Sequence, residues 1–150
     1  MKILVEKAKR RLTLQENGQT IFSCQITLGT TPLGAKTCAG DGKTPEGLYF
    51  VCMKKIGKFG QCLGVSYPGL SDAKKGLENG LIDEAQLALF ERAEREKIRP
   101  PWGTRLGGEI CIHAGSLGYD SSAGCMMLTD PDMAQVYPLC DIGDEIEILP

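Results

Sequence analysis

The sequence predicts a mainly β domain, a sandwich or partly open barrel of mixed strands, with two helices packed on it. Short apolar runs with two-residue alternation recur along the chain, and Gly- and Pro-rich turns separate them. Only two stretches combine a helical period with a start signal. At 150 residues and 42% hydrophobic, the chain makes a single domain, residues 1–150, able to hide roughly 70% of its unfolded surface.

Taken in order, Ile3, Val5 and Lys7 and then Arg11 to Leu14 alternate in type around Lys9-Arg10, which reads as a hairpin or a long bent strand. Asn17-Gly18 supplies the positive φ angles of a tight hairpin. Thr20 to Leu28 follows as a strand, with Ile21, Phe22, Cys24, Ile26 and Leu28 as its apolar face. Gly29 to Gly47 has no periodicity and reads as a surface loop. Strands are then expected at Leu48–Met53, Cys62–Tyr67, Glu109–His113, Met126–Leu128 and Asp144–Leu149. Asp83-Glu84-Ala85-Gln86 is a capping-box pattern opening the first helix. Its stripe is Ile82, Ala85, Leu89, Phe90 and Ala93, with Glu91 and Arg95 as an i,i+4 pair. Asp130-Pro131 opens the second helix, with Asp130 as N-cap and Met133, Val136, Tyr137 and Cys140 as its buried stripe.

Several functional classes are excluded. A net charge of -2 and the lack of a basic cluster argue against nucleic acid as a partner. No apolar run approaches the ~18 residues of a membrane span. Met1 to Leu14 has no apolar core of a secretory signal, so the protein stays inside or its export segment lies elsewhere. Gly42-Lys43-Thr44 resembles the end of a phosphate-binding loop, but position 37 is Thr, and Pro45 and a strand follow where a helix is required. This stretch is either a turn fixing entry to the next strand or a loop shaping a cleft. The seven cysteines are odd in number and form no C-x-x-C pair, so most should be small buried hydrophobes. One histidine and widely spaced cysteines make a poor metal set, and neither metal nor cofactor is expected.

The chemistry converges on Ile110 to Cys125. This stretch holds the only histidine, His113, and twelve residues later Cys125, preceded by Gly124. A free thiol has a pKa of about 8.5, and a neighbouring imidazole can take its proton and so activate the sulfur as a nucleophile. A lone His at a strand end is more often structural, but Gly124 beside Cys125 would let a substrate approach the backbone closely. In the expected strand, Ile110 and Ile112 face one side, and Cys111 and His113 the other. Trp102, between Pro101 and the Gly-rich 103–108 segment, is a core anchor or a cleft wall, core packing being the simpler expectation.

His113, Asp120-Ser121-Ser122-Ala123-Gly124-Cys125, the Asp130 helix and the final Gly143-Asp144-Glu145-Ile146 strand resemble the L,D-transpeptidase catalytic domain, the YkuD fold. The resemblance extends over nearly the whole chain, through Pro32 to Gly34, Gly42 to Gly47, Pro101-Trp102-Gly103-Thr104 and Gly107 to His113. It departs at Ala114, where the family usually has Gly, at Ala123, where many members have His, and at Met127, where Arg or Asn is common. The His-to-Cys spacing is also short. These changes keep the thiol and imidazole but remove groups that could orient a donor peptide.

The resemblance implies acyl transfer on peptidoglycan stem peptides, with Cys125 as nucleophile and His113 as its base. Gly124 and Ser122 would belong to the catalytic turn, and amides around Ala123, Gly124 and Cys125 would be the oxyanion donors. A backbone carbonyl or Ser122 would hold the second His113 nitrogen. Tyr119, Trp102, Arg105 and Gly115 would contact substrate. The outcome would be 3→3 cross-linking or exchange of the terminal D-alanine; the alternatives are an L,D-carboxypeptidase, a noncatalytic peptidoglycan-binding module or a redox-sensing thiol protein. The cell envelope, periplasm or wall, is the implied location, and a cytoplasmic role on recycled wall fragments also fits.

Overall fold

The computed structural model describes residues 1–115 and 118–150; Ser116 and Leu117, inside the Ile110–Cys125 stretch, lie outside it. Among the described residues, eight strands form one mixed sheet: β1 (Lys2–Glu6), β2 (Arg11–Glu16), β3 (Gln19–Gln25), β4 (Gly47–Gly57), β5 (Gly60–Val65), β6 (Cys111–Ala114), β7 (Met126–Leu128) and β8 (Glu145–Leu149). Their order is β3-β2-β1-β8-β4-β5-β6-β7. The ends of this sheet meet. Beyond β3 the chain runs on through Thr27, which exchanges two backbone hydrogen bonds with Met127 of β7 (3.0 and 3.1 Å). The result is a nearly closed barrel, the second of the two expected β architectures, and closure leaves fewer unpaired edge groups.

The alternation in the sequence explains the strands. Ile3 and Val5 of β1, Leu12 and Leu14 of β2, and Ile146 and Ile148 of β8 all point inward and are fully or almost fully buried. The first two strands do form a hairpin, and Asn17 and Gly18 carry φ of 52° and 77° in the next turn, as the Asn-Gly signal requires. The C-terminal strand inserts parallel to β1, pairing Ile3 with Ile146 and Val5 with Ile148. The long strand β4 bonds to β8 with its first half and to β5 with its second, and the register shifts between Val51 and Met53, as a β-bulge would do at a barrel corner. Ile21 is half-exposed, so the inward face of β3 and its extension is Phe22, Cys24, Ile26 and Leu28.

Among the described residues there are three helices: α1 (Leu70–Glu78), α2 (Glu84–Glu96) and α3 (Asp130–Leu139). The one not expected from sequence, α1, buries only Ala73 and Gly76 fully, too sparse a stripe to stand out. Its one local cue is Asp72, whose carboxylate accepts from the Gly69 N–H at 2.9 Å. The predicted capping box of α2 is present: Asp83 accepts from the Gln86 N–H, and Gln86 accepts from the Asp83 N–H. Its buried stripe differs, because α2 packs on α1 and Leu106. Ile82, Phe90 and Ala93 are inside, while Ala85 and Leu89 face solvent. The ion pairs on this helix are Arg92–Glu96 and Lys97–Glu94 rather than Glu91–Arg95. The N-cap of α3 is Thr129, whose Oγ1 accepts from the Asp132 N–H at 3.2 Å, which places Asp130 inside the first turn. Met133, Val136 and Cys140 then join the barrel core as expected.

The 29–47 segment is only partly a surface loop. Lys36 and Thr44 are buried. Lys7, also buried, donates to the carbonyls of Gly34 and Thr44 (both 2.9 Å) and pairs with Glu46 at 3.0 Å. An ammonium out of water needs such a set of acceptors, and the set staples the loop against the barrel end.

Candidate active site

The adjacent parallel strands β6 and β7 place the two reactive side chains. Alternation along β6 sends Ile110 and Ile112 into the core and turns Cys111 and His113 toward a cleft of about 270 Å³, as expected. In register, Ile112 pairs with Met126, so Cys125 stands beside Cys111 at the mouth of β7. Cys125 and His113 line the same cleft, together with Trp102, Glu109, Cys62 and the tip of the β4–β5 hairpin.

His113 is buried to 7% exposure. Its Nδ1 lies 2.7 Å from the carbonyl oxygen of Ala114, so Nδ1 carries the proton and donates. Nε2 is left for Cys125. Between the two acceptors named for this nitrogen, the backbone carbonyl takes the role. The ring of Phe59 stacks on the imidazole with centroids 5.0 Å apart and planes at 18°.

The Cys125 sulfur lies 3.5 Å from the Glu109 carbonyl oxygen, to which the thiol form donates, and has three donors around it. The Cys111 thiol, the Cys111 N–H (3.3 Å) and the His113 imidazole all hydrogen-bond to it. The Cys111 thiol contributes most; burial opposes it, and the imidazole's hydrogen bond and charge add to it, so the Cys125 thiol is held down to about 5. The same hydrogen bond raises His113 above its ordinary value, against burial and with help from the Ala114 carbonyl. Both shifts favour the thiolate and imidazolium form of the pair. Titration of thiolate absorbance in the folded protein is expected to show a midpoint near 5 for Cys125, against about 8.5 after unfolding. The stabilisation this thiolate lends to folding is present above the unfolded value and is lost as pH falls through the folded one. The His113 contribution has the opposite sign: it is present below about 6.5 and lost as pH rises through the raised value. A native midpoint near 8.5 would sink the ion pair.

The turn before Cys125 is held by hydrogen bonds from within. Ser122 Oγ donates to the Cys125 carbonyl (2.6 Å) and accepts from the Gly124 N–H (3.1 Å), so its role is to close the turn. Gly124 has φ +143°, and a Cβ there would stand 2.7 Å from both Ile110 Cδ1 and the Lys43 carbonyl oxygen. Beneath it Thr44, fully buried, donates to the Gly124 carbonyl (2.9 Å) and accepts from the Gly29 N–H (3.1 Å). The loop that resembled a phosphate-binding motif thus supports the Gly124-Cys125 turn from below. Asp120 accepts from Leu28 N–H and pairs with Arg10 at 2.8 Å; burial pushes its carboxyl up, but Arg10 and that amide hold it below the usual range. Asp120 therefore ties the site loop to the barrel.

Trp102 lines the cleft, the second of the two roles considered for it, because its Nε1 is tethered to the Tyr67 carbonyl (3.0 Å) and Arg99 lies 4.8 Å over its ring. A second depression of about 320 Å³ shares Trp102 and Glu109 and includes Ala123. Tyr119 and Arg105 are exposed and stand outside the residues lining either space. Gly115 donates to the Leu128 carbonyl, and a Cβ there would meet Met127 Sδ at 2.5 Å, so packing accounts for this glycine. Met127 itself is buried. Sequence reasoning missed Thr44, Phe59, Lys55, Lys58 and Cys62, which reach the site only through strand pairing and loop packing. Among the described residues no group of three or more His, Cys, Asp or Glu is arranged to hold a metal ion, and no helix is long and apolar enough to cross a membrane.

The family description of the L,D-transpeptidase catalytic domain, YkuD, matches residues 1–148. No curated protein matches the chain. Among solved structures, the chain is similar to the helical cell shape determining protein Pgp2 from Campylobacter jejuni, with 20% identity and a TM-score of 0.69 over 98% of this chain and 46% of that one. It is also similar to the L,D-transpeptidases of Stackebrandtia nassauensis (14% identity, TM-score 0.58, 99% of this chain and 55% of that one) and Mycobacterium smegmatis (12%, 0.59, 99% and 58%). The chain spans about half the length of these proteins, and at such identities the likeness shows a shared fold.

Proposed function

Because the chain belongs to the YkuD family of L,D-transpeptidase catalytic domains, we propose that it is a cysteine acyltransferase acting on peptidoglycan stem peptides. The observation that carries this reading is the Cys125 sulfur, hydrogen-bonded by His113 and Cys111 at the edge of an open cleft.

In this mechanism the Cys125 sulfur attacks the carbonyl carbon of the third, L-centred residue of a stem tetrapeptide. Negative charge moves to the carbonyl oxygen. With the Gly124 N–H committed to Ser122, the amides of Ala123 and Cys125 are the donors left for it, and one such donor is worth about 3 kcal/mol. His113 gives its Nε2 proton to the departing D-alanine amine, leaving a thioester on Cys125. The neutral imidazole then takes a proton from the incoming amine, which attacks the thioester and releases the thiolate. Ala114 holds the tautomer throughout by accepting from Nδ1. Lys55 and Lys58 on the hairpin tip supply positive charge for the carboxylates of the stem, in place of Arg105. The depression across Trp102 is suited to the acceptor strand, which favours transfer to an amine over hydrolysis. On such a substrate the protein would act in the cell envelope, or in the cytoplasm on recycled wall fragments.

The test is mass spectrometry of a stem tetrapeptide incubated with the protein, with and without an amine acceptor. Release of D-alanine with the acceptor joined to the third residue is expected. Release to water alone, acceptor present, would reassign the protein as an L,D-carboxypeptidase. An intact tetrapeptide under conditions where Cys125 is fully reactive toward an alkylating agent would overturn the reading.

A further inference from the structure

Three thiols line the cleft, Cys62, Cys111 and Cys125, and the acyl-transfer mechanism needs only one to react. Cys111 and Cys125 occupy neighbouring parallel strands, each one position before the Ile112–Met126 pair. Adjacent strands lie about 4.8 Å apart, inside the window of about 4.4–6.8 Å between the Cα atoms of a disulfide. Both side chains face the cleft, and the Cys111 thiol is hydrogen-bonded to Cys125 on one side and to Cys62 on the other. Cys62 pairs across β5 and β6 with His113, which sets it diagonal to Cys111. All seven cysteines are free thiols.

We propose that Cys111 is a resolving thiol for Cys125, so that a hydroperoxide converts the site reversibly into a Cys111–Cys125 disulfide and switches acyl transfer off. The switching part rests on the reading of Cys125 as the nucleophile given above; the disulfide itself does not.

The chemistry balances in two steps. The Cys125 thiolate attacks one oxygen of hydrogen peroxide, the O–O bond breaks and hydroxide leaves, taking the proton held by His113 to form the first water, so sulfur loses two electrons to the peroxide and becomes a sulfenic acid. Cys111 sulfur then attacks Cys125 sulfur. The S–O bond breaks, and the departing hydroxide takes up the Cys111 proton to form water. Two thiols and one peroxide thus give one disulfide and two waters. Before oxidation the Cys125 side chain is the largest influence keeping Cys111 protonated, followed by Cys62 and burial. A neutral sulfenic acid removes that first influence, so Cys111 gains nucleophilicity once Cys125 has been oxidised. Trapping the sulfenic acid this way spares the nucleophile from irreversible oxidation.

The experiment treats the full chain with hydrogen peroxide under native conditions, blocks remaining thiols and maps the cysteines by mass spectrometry. No Lys or Arg follows Arg105, so trypsin leaves both cysteines in one peptide, and a second cut beside Asp120 is needed to separate them. The expected product is a Cys111–Cys125 linked peptide pair, lighter by two hydrogens than its thiol form and released by dithiothreitol, with turnover lost and regained in step. Cys111→Ala and Cys111→Ser should instead carry Cys125 to the sulfinic acid, which dithiothreitol does not reverse, and Cys62→Ala should still form the bond. Over-oxidised Cys125 beside a free Cys111 in the unmodified protein, or a Cys62–Cys111 bond with Cys125 free, overturns the proposal. A chain that forms the linked pair yet releases no D-alanine even when reduced retains the resolving thiol and refutes the acyl-transfer reading instead.

Discussion

Cys125→Ala is expected to lower turnover of a stem tetrapeptide by about 10⁴-fold or more, since nothing else supplies the covalent step. Binding of the peptide should persist, because Trp102, Lys55 and Lys58 still line the cleft. His113→Gln keeps a donor toward the Ala114 carbonyl but removes the proton carrier, and it should cost about 10²- to 10⁴-fold. The two residues act as one unit, so the double variant should be scarcely slower than Cys125→Ala alone. Initial rates of D-alanine release and Trp102 fluorescence on peptide addition separate chemistry from binding. Turnover surviving in Cys125→Ala would move the nucleophile elsewhere. Peptide binding by the unaltered chain with no turnover in either protein would instead make this a binding module.

Gly124→Ala should damage both the fold and the site. A side chain at φ +143° costs about 1–3 kcal/mol in backbone strain. The new methyl must also make room between Ile110 Cδ1, which can turn away, and the Lys43 carbonyl, which cannot move without disturbing Thr44 and its bond to the Gly124 carbonyl. Overpacking of this kind adds about 1–3 kcal/mol. A drop in melting temperature of roughly 5–15 °C is expected for a domain of this size. The Cys125 thiolate titration should shift upward as the sulfur leaves its donors. Gly103→Ala is the matched control: its Cβ meets open space, and stability should change by no more than about 0.5 kcal/mol. An unchanged melt and titration in Gly124→Ala would show that the turn adapts.

The site residues were legible in unequal degree. His113 and Cys125 could be named as candidates from a single histidine and a Gly-Cys step, and the alternation of β6 put Cys111 on the same strand face as His113. Thr44 could not be found this way, because its partners Gly29 and Gly124 lie 15 and 80 positions away and its own neighbours read equally as a turn or as a loop shaping a cleft. Phe59 was similarly hidden: nothing local distinguishes it from any other exposed aromatic, and it stacks on His113 because β5 pairs with β6. Cys62 and Cys111 looked like small core hydrophobes, and only the shared cleft reveals them as a thiol cluster.

What the sequence determined by itself is what short-range physics controls: the strand alternation, the Asn17-Gly18 turn, the Asp83 cap and the chemical types available for reaction. Each depends on residues within a few positions of one another. What only the tertiary structure decided is closure and convergence: Thr27 meeting Met127 to shut the barrel, β8 entering parallel to β1, α1 setting which face of α2 is buried, and Lys7 and Thr44 bracing the turn before Cys125. These contacts join segments far apart in the chain. They form because buried backbone and charged groups must find partners somewhere in the fold, a requirement that local sequence states without naming the partner.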